Sequence, residues 1–205
     1  MAAVARFTFP RPEELEPAGP ALDASGLPRV FWLYVVAAGL VGAGFADFPL
    51  IAFHFQRHGT VAGSWIPAFF AVAMGVSGVG SLVFGRMFDR RGLRVLVPLT
   101  LAGALFAPLV FLGSFPVALV GAALWGLGMG VHESIIPAAV APMVPVERRA
   151  SAYGLFTAAY GAFWFVGSAA IGVLYDRSLA ATIVFCVVLQ VSAVPLLVRV
   201  GRAVT

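Results

Sequence analysis

Two carboxylates lie inside long apolar runs of this sequence. Asp47 falls in Gly44-Phe45-Ala46-Asp47-Phe48-Pro49, and Glu133 in Gly130-Val131-His132-Glu133-Ser134-Ile135. On insertion scales an aspartate at the centre of a bilayer costs at least about 2.5–3.5 kcal/mol, so an acid kept at such a place is a functional candidate by default. Such a carboxylate can bind a proton or a cation, or hold a neighbouring helix through a hydrogen bond. Each acid also precedes a proline, Pro49 and Pro137, which removes a helical hydrogen bond and can bend the chain.

Helical spacing groups these residues with others. Glu133 shares a face with Gly126, Gly130 and Pro137, at offsets of 7, 3 and 4 residues, while His132 points elsewhere. Asp47, His54 and His58 fall on one face at offsets of 7 and 11. Histidine titrates near neutral pH, so a proton path is one use of that face. Metal binding is a weaker one, because two histidines make a poor ligand set and Arg57 and Gly59 mark a helix end. Hydrogen bonding at the membrane interface is the simplest. Tyr153, Tyr160 and Trp164 lie on related faces of a later run and can stack on a solute, whereas Phe31, Trp32, Tyr34, Trp65 and Trp125 include residues near run ends that suit an interfacial belt. No nucleophile paired with a base, phosphate loop, paired catalytic acids or zinc spacing is present, so neither an enzyme nor a cofactor is expected.

The elements that must position these side chains follow from composition. Of the 205 residues, 61% are hydrophobic and 11% charged, against about 25% charged in soluble domains. Lipid is the solvent such a chain requires. Stretches of about 20 apolar residues place spans near 30–54, 62–85, 94–113, 116–140, 150–174 and 179–199, giving an all-α membrane protein of six transmembrane helices. Residues 1–28, rich in proline and acids, read as a flexible cytoplasmic tail, and no secretory signal is visible. Cys186 is the single cysteine, so no intrachain disulfide can form.

All 13 basic residues are arginine. They sit in the short gaps between runs and form no basic face, which argues against nucleic acid as a partner. With the N-terminus inside, eleven are cytoplasmic: Arg6, Arg11, Arg29, Arg86, Arg90, Arg91, Arg94, Arg148, Arg149, Arg199 and Arg202. Only Arg57 and Arg177 lie opposite. That bias predicts a multi-pass protein of the cell (inner) membrane with both termini cytoplasmic. Gly126, Gly128 and Gly130, and later Gly154, Gly161 and Gly167, suit close helix packing.

The sequence also matches itself. A shift of 87 residues lays Phe69, Ala71, Val79, Gly80, Ser81, Gly85, Asp89 and Arg90 on Phe156, Ala158, Val166, Gly167, Ser168, Gly172, Asp176 and Arg177, eight identities in 22 positions. An odd number of spans separates the copies, so they run in opposite orientations, as in the three-helix inverted repeats of secondary transporters.

The stretch Gly85-Arg86-Met87-Phe88-Asp89-Arg90-Arg91-Gly92-Leu93-Arg94 resembles the loop signature of the major facilitator superfamily. Gly85, Asp89, Arg90, Gly92 and Arg94 fit it, and Leu93 departs where a basic residue is usual. A second stretch, Pro145 to Gly154, resembles the family's connection between the fourth and fifth helices of a half. The resemblance covers residues 29–200 and implies one six-helix half, more like the C-terminal one. It further implies that the first and fourth helices face a central cavity, which puts Asp47 and Glu133 there. Gly85 is then expected at a close crossing, and Asp89 and Arg90 as switch residues of the loop. A full transporter of this kind has two halves, so the chain is expected to work as a homodimer or with a separate half, moving a small molecule or ion. The rival expectation is a membrane assembly factor or accessory subunit that transports nothing.

Overall fold

The computed structural model describes residue 24 and residues 26–204. The tail expected over 1–28 therefore lies outside the described residues except for 24 and 26–28, as do Arg6 and Arg11. The described residues form α-helices joined by short turns, and five helical stretches are long and apolar enough to cross a membrane.

The first stretch is not the single helix expected over 30–54. Helix α1 runs over Arg29–Ala43 and α2 over Phe48–His58, with Gly44 to Asp47 irregular between them. Pro49 explains the interruption. Its ring lacks an N–H and clashes with a carbonyl four residues back, which disfavours an unbroken helix there, yet it fits the first turn of a new one. An irregular backbone in lipid needs internal partners, and this one has them. Gln190 Nε2 donates to the Gly44 carbonyl at 3.1 Å, and Trp125 Nε1 donates to that of Ala46 at 2.7 Å. The Gly44 and Phe45 amides bond back to Leu40 and Gly42, while the Asp47 carbonyl accepts from Leu50 and Ile51.

Helix α3, Ile66–Arg91, leads through a turn at Gly92–Val95 into α4, Leu96–Ala104, and α5, Phe106–Leu112. The whole 50-residue stretch Gly63–Leu112 would be about 75 Å long as a straight helix, far more than a bilayer core of about 30 Å. Gly92 turns it, at φ 60°, ψ −150°, where other residues are strained. Arg86 to Arg91, expected in the loop after the second span, are instead the last turns of α3. The helix continues because nothing before Gly92 interrupts it.

Helix α6, Phe115–Gly130, passes into a π-helical segment, Val131–Ile135, and then a short turn of helix α7, Ile136–Ala138. Tyr34 donates to the Ile136 carbonyl at 2.7 Å where this run ends. Two long helices complete the molecule, α8, Arg149–Arg177, and α9, Leu179–Ala203.

Packing pairs α3 with α6 and α1 with both α8 and α9, while α5 lies on α6 and α4 on α9. Glycine makes two of these contacts possible. A Cβ on Gly126 would strike the backbone of Ala73, and one on Gly167 that of Ala43. Gly85 is different: a Cβ there would meet nothing within 4 Å, so it mediates no close crossing among the described residues. The expected crossing glycine on α3 is replaced by Ala73, whose backbone meets Gly126.

Two apolar clusters form the interior. One gathers Phe31, Tyr34, Leu96, Ile135 and Phe156, and the other Phe45, Phe55, Phe69, Phe106 and Cys186. Trp125 belongs to the second cluster, and Phe31 and Tyr34 to the first, so these three are core residues, while Trp32 and Trp65 are exposed. The α1–α2 interruption and the π segment both lie where the two clusters meet.

Candidate functional site

The interruption and the π segment bring the two intramembrane acids to one place. Asp47, Phe48, Pro49 and Leu50 on one side, and Trp125, Met129 and Glu133 on the other, line an open cleft of ≈ 750 Å³. Phe53, Phe70 and Met74 complete its wall. It is apolar and aromatic apart from the two carboxylates, and no basic side chain among the described residues lines it.

The two acids are held differently. Asp47 sits half-buried just before α2. Trp164 Nε1 donates to its Oδ1 at 3.1 Å and Ser168 Oγ to its Oδ2 at 2.5 Å. Each carboxylate oxygen thus has a donor from α8. Glu133 is exposed in the cleft and makes no hydrogen bond among the described residues. It stands in register with Trp125 and Met129, the i−8 and i−4 positions. Gly126 and Gly130, its expected companions, face α3 instead. The difference arises because the π segment winds more residues into each turn, which a 3.6-residue period does not follow.

His132 does point away from Glu133, as expected, and its destination is informative. It is buried, its Nδ1 is bonded to the Tyr160 hydroxyl, and its ring contacts Phe45 and Trp164 with centroids 4.4 and 5.1 Å apart. Tyr160, Trp164 and Ser168 stand one helical turn apart on α8. They form a polar ladder behind the cleft that joins the π segment to Asp47. Tyr160 and Trp164 are therefore not in the cleft wall. Gly42 permits the ladder to approach, since a Cβ there would lie 3.1 Å from the Tyr160 ring.

His54 does not join Asp47. It is buried, with Nδ1 2.9 Å from the Tyr175 hydroxyl, and its ring stacks on His58 at 4.3 Å. The His58 Nδ1 lies 3.3 Å from the His54 carbonyl. Both Asp47 and His54 reach α8, at Ser168 and Tyr175, by way of separate contacts. In the signature stretch, Asp89, Arg90 and Arg94 are exposed, and Asp89 has no ion-pair partner among the described residues.

Sequence reasoning missed His132 and Ser168. Ser168 carried a signal, as the counterpart of Ser81 in the repeat. Ser81 likewise reaches a neighbouring helix, its Oγ donating to the Gly130 carbonyl at 3.4 Å just before the π segment. His132 carried none beyond its place beside Glu133.

Interrupted helices around an acid-bearing cleft, in a chain of long apolar helices, define a multi-pass membrane protein built like a transporter. The family model described as Major Facilitator Superfamily matches residues 30–203, and the chain belongs to that family of transporters. It is 34% identical over 190 residues to the uncharacterized proteins Mb2288 of Mycobacterium bovis and Rv2265 of Mycobacterium tuberculosis, a match that takes in 90% of this chain and 46% of each relative. The chain thus spans about half the length of these relatives. No solved structure matches it.

Proposed function

We propose that this chain is one six-helix half of a secondary transporter that moves a small solute by alternating access, coupled to protons. The observation that carries this reading is the meeting of Asp47 and Glu133 on one cleft, beside an interrupted helix whose backbone is satisfied from within. Discontinuous helices at the binding site are the recurring device of such transporters. Glu133, without a hydrogen bond among the described residues, is the proton or solute carboxylate. Asp47 ties the cleft to α8, so its occupancy is felt along that helix.

The turn at Gly92 supports two crossings within 63–112, and hence six spans. Two inverted three-helix repeats are supported by position and by packing. The interruption at 44–47 shifted by 87 residues falls on 131–134, inside the π segment, and the pairing of α3 with α6 is matched by that of α8 with α1. The arginine bias supports cytoplasmic termini in an inner membrane.

A second half closes the cleft, whether a further copy or another unit. The exposed faces of α3 and α8 carry Gly75, Gly78, Gly161 and Gly172, where an added Cβ meets nothing within 4 Å. Small residues of this kind let another helix approach closely.

The test is proton flux in vesicles containing the assembled protein. Glu133→Gln and Asp47→Asn should each abolish coupled movement while the protein still inserts. Unaltered flux in both variants sinks the mechanism, and a stable complex with an unrelated protein and no transport points to an accessory subunit instead.

A further inference from the structure

Where α3 turns into α4, two adjoining hollows share Arg94 and Gly201. The first, ≈ 470 Å³, is lined by Arg90, Arg91 and Arg94 around the Gly92 turn. The second, ≈ 340 Å³, runs between α4 and α9 along Val97, Pro98, Leu197 and Val198, with Arg94 and Arg202 at its mouth. Among the described residues no acidic side chain lines either hollow, and all four arginines are exposed.

Together they form a cationic pocket opening onto an apolar groove at the end of a membrane helix. A soluble anion matches only the pocket, and a neutral lipid only the groove. A molecule with a phosphate on an acyl chain matches both. Guanidinium forks bind phosphate oxygens bidentately, and basic pockets between helices at this depth collect anionic headgroups. We infer that this composite site binds one anionic phospholipid, its phosphate held by Arg94 and Arg202 with Arg90 and Arg91 beside it, and an acyl chain lying between α4 and α9. The lipid then bridges the Gly92 turn to the end of α9 and braces both. This inference rests on the membrane placement proposed above and is independent of transport.

The full chain, purified in detergent, is mixed with equal amounts of phosphatidylglycerol and phosphatidylcholine of identical acyl chains, and the lipid retained is weighed by native mass spectrometry. Phosphatidylglycerol should be retained preferentially. Arg94→Ala and Arg202→Ala should each lower that preference about fivefold, the effect of one arginine near an anionic surface, and Arg57→Ala, at the far end of the helices, should leave it unchanged. Arg202 stands exposed in the last turn of α9, so its variant keeps the fold even if Arg94→Ala does not. Equal retention of the two lipids, or undiminished preference in Arg202→Ala, overturns the site. Displacement of the lipid by millimolar inorganic phosphate also overturns it, assigning the pocket to a free anion. Lipid preference without proton flux leaves this inference standing and removes the transport reading; flux without preference does the reverse.

Discussion

At the scale of single residues, the pairing of His132 with Tyr160 is the contact most open to dissection. It is partly buried, with His132 in the interior, and joins the π segment to α8. Hydrogen bonds between membrane helices average about 0.6 kcal/mol and reach about 1.7, so Tyr160→Phe should destabilise the fold by about 1 kcal/mol in a denaturation titration. His132→Phe should do the same, and the double variant should cost less than the two single changes added together, because both remove one bond. Full additivity means the pair is not coupled. The acids were legible because charge in an apolar run is conspicuous. Their partners were not, because serine and histidine in such a run stand out less, and the face each residue presents depends on local winding that the sequence period does not reveal.

At the scale of elements, the interruption between α1 and α2 depends on two distant side chains. Trp125→Phe leaves the Ala46 carbonyl without its donor, and Gln190→Leu does so for that of Gly44. Each should cost about 1–3 kcal/mol, the desolvation penalty of an unpaired buried group, measured by the same titration; a loss of a few tenths means that water or a shifted side chain takes over. Glycines divide by what faces them. Gly126→Val and Gly167→Val should prevent the native packing, since each Cβ meets backbone that cannot yield. Gly161→Val should leave the protomer folded, because its side chain enters open space. That the apolar runs form long helices was readable from their length and composition. The interruption before Pro49 was readable only as a bend, and the π segment not at all, since no residue type marks it. The signature stretch was found from its residues, but its helical character was not, because glycine and charge suggest a loop until Gly92 is seen to be the one position of that stretch with positive φ.

At the scale of the whole molecule, the half-length of the chain relative to its relatives frames the next measurement. If the cleft and the glycine faces of α3 and α8 receive a second copy, the particle in detergent or nanodiscs, after subtraction of lipid, should have a protein mass near twice 21.4 kDa. Gly161→Val should return it to a single protomer. A wild-type mass of 21.4 kDa means that no second copy covers these faces, so that either another unit does or the chain does not transport, and partner capture comes next. The family was legible from residues 85–94 and 145–154, whose glycine and charged positions leave a mark in the sequence. What covers the exposed helix faces leaves no such mark, since an exposed face looks alike whether lipid or protein covers it.

Cys186, the sole thiol, is wholly buried in the cluster around Phe45 and Phe106. A maleimide added to the folded protein therefore finds nothing to alkylate, and a cysteine introduced at any exposed position becomes a single addressable label without any need to remove the native one. The native thiol then serves as an internal clock. Its modification rate should be negligible in the folded protein and rise in step with unfolding as denaturant is added, so that mass spectrometry of the alkylated fraction reports how often the interior opens.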